Sequence, residues 1–68
     1  MTPDDLISAY GASTQLCELP DDHVDDSSSP LGIWFRQLGY DESPRRVINQ
    51  GYGWSVTIEE ISRGEYIS

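Results

Sequence analysis

Trp54-Ser55-Val56-Thr57-Ile58-Glu59-Glu60-Ile61 supports two readings, and the choice between them sets the fold class of the whole chain. Trp54, Val56 and Ile58 alternate strictly with Ser55, Thr57 and Glu59, the period-two pattern of a half-buried strand. The same residues contain Thr57 followed three positions later by Glu60, a capping box that would start a short helix ending near Gly64. The strand is the reading taken here, with the capping-box helix as its competitor.

Working outward from it, Arg46-Val47-Ile48-Asn49 carries two adjacent β-branched residues and reads as a second strand, joined through Gly51-Tyr52-Gly53 as a hairpin connection. The competing reading is a third short helix, Arg45 to Gln50, started by Ser43-Pro44 and stopped by Gly51. Tyr40 to Pro44 is a turn. Further upstream, Ala12 to Leu19 alternates weakly and leans to a strand, although Ser13 could cap two helical turns instead. Downstream, Ser62-Arg63-Gly64 reads as a turn and Glu65-Tyr66-Ile67 as a short closing strand.

Two helices carry clearer signals. In Ser29-Pro30-Leu31-Gly32-Ile33-Trp34-Phe35-Arg36-Gln37-Leu38-Gly39, a capping hydroxyl precedes a proline at the first helical position, and a glycine stands at the stop. Leu31, Trp34, Phe35 and Leu38 fall on one stripe, so Pro30 to Leu38 is the central core helix. Thr2-Pro3-Asp4-Asp5-Leu6-Ile7-Ser8-Ala9-Tyr10-Gly11 repeats that grammar and predicts a helix from Pro3 to Tyr10. The expected fold is therefore α+β, one domain over residues 1–68 with two short helices packed on a small antiparallel sheet. An all-α, helix-turn-helix-like bundle is the alternative. The expected core is Leu6, Tyr10, Leu16, Leu31, Trp34, Phe35, Leu38, Val47, Trp54, Val56, Ile58 and Ile61.

Composition narrows the chemistry. One cysteine, Cys17, permits no intrachain disulfide and reads as a small buried hydrophobe. With a single histidine beside it, no zinc-type ligand set exists. No Gly-rich phosphate loop or nucleophile–base set is recognisable, so no enzyme, cofactor or structural metal is expected. No apolar run approaches the ~18 residues of a membrane span, and the first residues are acidic where a signal peptide is basic, which points to the cytoplasm.

Charge is the strongest signal. Twelve Asp and Glu stand against four Arg and no Lys, a net charge of −8. All the acids up to Asp26 precede the first arginine, Arg36. Such a surface repels nucleic acid and anionic lipid and favours a basic protein surface. Residues 20–28, Pro-Asp-Asp-His-Val-Asp-Asp-Ser-Ser, read as a solvated acidic loop. Asp21, Asp22, His23, Asp25 and Asp26 could offer ligands to a cation, but their spacing fits no calcium loop. Asp21, Asp22, Asp25 and Asp26 are the first candidates for partner contact, with Asp4, Asp5 and Glu18 extending the acidic surface. Tyr40, Tyr52 and Tyr66 are the candidate aromatic anchors.

In size, acidity and lack of catalytic residues the chain resembles the small phage-encoded inhibitors of host defence, the anti-CRISPR and anti-restriction proteins. That resemblance implies a non-enzymatic inhibitor that imitates nucleic-acid charge and occupies the groove of a nucleic-acid-binding protein. A local stretch, Asp5-Leu6-Ile7-Ser8-Ala9-Tyr10-Gly11, is similar to the first helix of Cro-like phage helix-turn-helix repressors, and Ser43 to Ile48 with Val56 to Ile61 resembles their C-terminal part. That second resemblance implies a DNA-binding regulator, with Ser29 to Gln37 as recognition helix. A small accessory subunit of a larger complex is a further alternative.

Overall fold

The computed structural model describes residues 1–64, which form an all-helical globule. Helix α1 spans Pro3–Tyr10 and begins with a reciprocal cap: the Asp5 N–H donates to Thr2 Oγ1 (3.3 Å), and the Thr2 N–H donates to the Asp5 carboxylate (3.0 Å). Two of the amides that every helix start leaves without partners are thereby satisfied. A single 3₁₀ turn follows at Leu16–Glu18, and then α2 at Asp21–Asp25. Helix α3 is Pro30–Gln37, with Ser29 Oγ accepting the Gly32 N–H at 3.1 Å. Its stripe of Leu31, Trp34 and Phe35 is buried as the spacing predicts. Leu38 is not: it lies just past the helix and stays 39% exposed.

The α+β expectation is overturned. Thr57 does not continue a strand but caps α5, Ile58–Ser62, exchanging bonds with Glu60 in both directions (3.2 and 3.1 Å). The helix wins because it turns both Ile58 and Ile61 into the core, three residues apart on one face. A strand would have sent them to opposite faces. What remains of the sheet is one antiparallel bridge between Gln15 and Thr57. Around it, Leu16 N donates to Val56 O (3.0 Å) and Ile58 N to Thr14 O (2.8 Å) before the chain bends into α5. Among the described residues this pairing never extends to a strand. Ala12 to Leu19 therefore contributes a bridge and a 3₁₀ turn.

The strand expected at Arg46 to Asn49 is likewise helical. Helix α4, Pro44–Val47, runs directly into a wider π-type turn at Ile48–Tyr52. Pro44, Val47, Ile48 and Tyr52 are all buried, and as positions i, i+3, i+4 and i+8 they share one helical face. Val47 and Ile48 are neighbours in sequence, so in a strand one of them would have faced water. The wide turn carries the chain past Gly51, and the stop falls at Gly53, whose φ of 81° is open to glycine. Gly51-Tyr52-Gly53 is therefore no hairpin loop, and Tyr52 enters the core. The expected closing strand at residues 65–67 lies outside the described residues.

At the centre, Phe35 is fully buried, 4.7 Å from Tyr52 between ring centroids and 6.0 Å from Tyr40. Leu6, Leu16, Val24, Leu31, Val47, Ile48, Ile58 and Ile61 surround it, while Tyr10, Trp54 and Val56 are only partly buried. Cys17, expected inside, is exposed. No helix among the described residues is long and apolar enough to cross a membrane.

One close approach fixes how α3 enters this core. A Cβ added at Gly32 would lie 2.5 Å from the Ser27 carbonyl oxygen, and that neighbour is backbone that has no rotamer to yield. Gly32→Ala should therefore destabilise the fold by about 2 kcal/mol, lowering the melting temperature by roughly 10 °C. Gly51→Ala, where an added Cβ meets nothing within 4 Å, should be neutral or raise it. Thermal melts followed by circular dichroism check both; equal melting temperatures for the two variants would contradict the packing described.

Candidate acidic interface

Residues 20–28 are not the unstructured loop that their composition suggests. Pro20 and the acids Asp21 and Asp22 suit a helix start, and Val24 is a single apolar residue that the resulting turn of α2 drives into the core, 1% exposed. Burial of Val24 ties the helix that carries these acids to the core. Asp21 and Asp25, four residues apart, then face the same way and share Arg45, which reaches across from α4. Arg45 Nε donates to Asp25 Oδ1, and Nη2 lies 3.4 Å from both Asp25 Oδ2 and Asp21 Oδ1. The guanidinium also lies over the Trp54 ring, 5.6 Å from its centroid, and the Trp54 indole N–H donates to Asn49 Oδ1 at 3.0 Å. The bond to Asp25 holds the Arg45 pKa above its ordinary value.

The other candidate acids divide into those with a structural task and those without. Asp26 accepts both the N–H and the hydroxyl of Ser28 (2.8 and 2.7 Å), and these bonds lower its pKa. Asp5 serves the α1 cap, and Glu18 accepts the Gln15 N–H at 2.8 Å in the 3₁₀ turn. Asp22 and Asp4 are exposed, with no ion pair or hydrogen bond among the described residues. The side chain of Asp21 is 92% exposed despite Arg45, so water screens that contact strongly. Asp21, Asp22, Asp25 and Asp26 are thus brought together on and beside α2, with one cation laid over two of them.

The aromatic anchors fare differently. Tyr52 is buried against Phe35 and belongs to the core, whereas Tyr40 is half-buried, packed partly against that core with its ring 5.9 Å from the Tyr52 ring. Tyr66 lies outside the described residues. His23, expected in a solvated acidic loop, is half-buried on α2 with Nδ1 at 2.9 Å from the Tyr10 hydroxyl. Among the described residues no three His, Cys, Asp or Glu side chains converge as metal ligands. Arg45 itself could not have been read as a neighbour of the acids, since 20 and 24 residues separate it from Asp25 and Asp21. Val24 was the legible sign that this segment is tied down.

Comparison with protein-family models, curated proteins and solved structures gives no match for this chain.

The pH response follows from three capped carboxylates. Hydrogen bonds from Thr2, Ser28 and Thr57 hold Asp5, Asp26 and Glu60 below the ordinary values of 3.8 for Asp and 4.5 for Glu. A carboxylate whose folded pKa is depressed contributes stability that is fully present above its unfolded value and is lost as pH falls through the folded one. Melting temperature should therefore fall on the acid side of about pH 4, and more gently in an Asp5→Asn/Asp26→Asn/Glu60→Gln variant. Superimposable acid limbs in melts of the two proteins would show that the caps do not carry this response.

Proposed function

We propose that this chain is a non-catalytic binding protein that presents the acidic α2 surface to a cationic groove of a nucleic-acid-binding protein and so keeps nucleic acid out of it. The observation that supports this reading most is the grouping of four aspartates on and beside one short, anchored helix in a chain of net charge −8. Carboxylates fixed on a rigid support meet arginines without the ordering cost of a loop, and their field speeds encounter. The resemblance in composition to phage-encoded inhibitors suggests that the partner belongs to host defence.

Direct DNA binding is the reading to be excluded, because the Cro-like resemblance carries an all-helical fold with it. The exposed part of α3 argues against it. Leu31, Gly32, Trp34 and Phe35 are buried, and Ile33, Arg36 and Gln37 are what the helix presents to solvent. A single arginine offers little against phosphates, and the net charge repels them.

Two variants that break the same ion pair in opposite electrical senses provide the test. Changing Asp21, Asp22, Asp25 and Asp26 to Asn removes four negative charges, whereas Arg45→Ala uncovers two. Partners captured on the immobilised chain from a lysate of its source, and released by duplex DNA, should bind the Asn variant about tenfold or more weakly and with a flatter salt dependence. They should bind Arg45→Ala as tightly or more tightly. Equal losses in both variants would mean that the ion pair matters only for shape, and a gel shift of DNA by the protein alone would defeat the reading.

A further inference from the structure

Three segments far apart in sequence meet around one guanidinium. Helix α2 supplies the carboxylates of Asp21 and Asp25, α4 supplies Arg45, and the turn before α5 supplies the ring of Trp54. Both walls are held by contacts that do not involve Arg45. Buried Val24 ties α2 to the core. Trp54 is fixed at two points: its carbonyl accepts the Cys17 N–H at 2.8 Å, and its indole N–H donates to Asn49 Oδ1 at 3.0 Å. Into the space between them Arg45 sets its planar head. Nε donates to Asp25 Oδ1, Nη2 lies 3.4 Å from both Asp25 Oδ2 and Asp21 Oδ1, and Cζ stands 5.6 Å from the centroid of the Trp54 ring. One edge of the fork meets a carboxylate side-on while the cation lies over an aromatic ring. That combination suits a guanidinium and not the point charge of an ammonium.

We propose that the Asp21–Asp25–Trp54 cradle is a binding site for an arginine side chain of the protein partner, and that Arg45 fills it in the free chain as an exchangeable occupant. This rests on the reading of α2 as a partner-binding surface and names the residue type that the surface takes. The ligand chemistry is read from the guanidinium that already sits there. Exchange is possible because the contact is open to water: the side chains of Arg45, Asp21 and Asp25 are 40%, 92% and 54% exposed, and ion pairs so placed are weakly held. What favours Arg45 is its attachment to the same chain, which gives it a high effective concentration. Charge favours the incoming group. Two carboxylates face one cation, and Asp22 beside them makes no ion pair among the described residues, so the cradle keeps a negative surplus that draws in a second cation. A lysine answers that surplus equally well but cannot reproduce the side-on fork, so the site selects arginine.

The N-acetyl amides of arginine and lysine are the probes that test it. Each is titrated at fixed ionic strength into the native chain and into Arg45→Ala, with the ¹⁵N–¹H signals of the Trp54 indole and the α2 amides as readout. Arg45→Ala should bind the arginine amide saturably, and about threefold or more tightly than the lysine amide. The native chain should bind it about threefold or more weakly than Arg45→Ala does, because its cradle is already filled. Adding Trp54→Leu to Arg45→Ala should abolish the preference for arginine, read at the α2 amides. Equal affinity for the two probes, or no saturable shift in Arg45→Ala, would overturn the proposal. Should Arg45→Ala fail to fold, the Arg45 Nε–H signal of the native chain decides. The arginine amide should move it toward the position of an unbonded arginine further than the lysine amide does, and an equal response would overturn the proposal. Because the probes are single amino acids, the result stands apart from partner capture: capture without the arginine preference overturns this proposal alone, and the preference without capture overturns the reading on which it rests.

Discussion

Helices of four to eight residues do not persist alone in water, and every α-helix among the described residues is that short. The fold depends on the burial of the Leu31–Trp34–Phe35 stripe of α3, which gives the other segments a common surface to complete. Phe35 is the point at which that dependence concentrates, because Tyr40 and Tyr52 both close on its ring. Hydroxyl and carboxylate caps at Thr2, Ser29 and Thr57 then decide where helices start. Each is worth about 1 kcal/mol, a large share of what so small a core leaves over.

Caps also explain which parts of the fold were legible in the sequence. Thr2-Pro3 and Ser29-Pro30 combine a capping side chain with a proline at the first helical position, and both helices start where those residues predict. Thr57 and Glu60 carried an equally good box, but Trp54, Val56 and Ile58 alternate across its start and read as a strand. Only the end of the alternation survives as pairing: Trp54 and Ser55 lie in a turn, Thr57 is bridged to Gln15, and the chain turns helical one residue later. The alternation of Trp54, Val56 and Ile58 ends at Ile58, and the next apolar residue decides between the readings. Ile61 falls at the helical spacing from Ile58 and settles the competition. The pair Val47-Ile48 misled for a related reason, since β-branching favours a strand only where packing does not need both residues on one side.

The acidic surface was legible as composition and not as architecture. Most of its carboxylates have a second occupation: Asp5 and Glu60 cap helices, Asp26 folds the turn to Ser28, and Asp21 and Asp25 hold Arg45. Charge in this chain therefore serves local folding first, and one buried valine anchors the helix that carries Asp21, Asp22 and Asp25. Tyr52 shows the reverse error. A tyrosine between two glycines reads as exposed, yet the π-type turn places it against Phe35.

The central claim is that burial on one face, enforced by the caps, makes the second half of the chain helical. ¹³Cα chemical shifts of the native protein measure this residue by residue. Downfield shifts relative to random coil are predicted across residues 44–52 and 58–62, with the change of sign falling at Thr57. Upfield, strand-type shifts running unbroken from Trp54 through Ile61 would contradict the account.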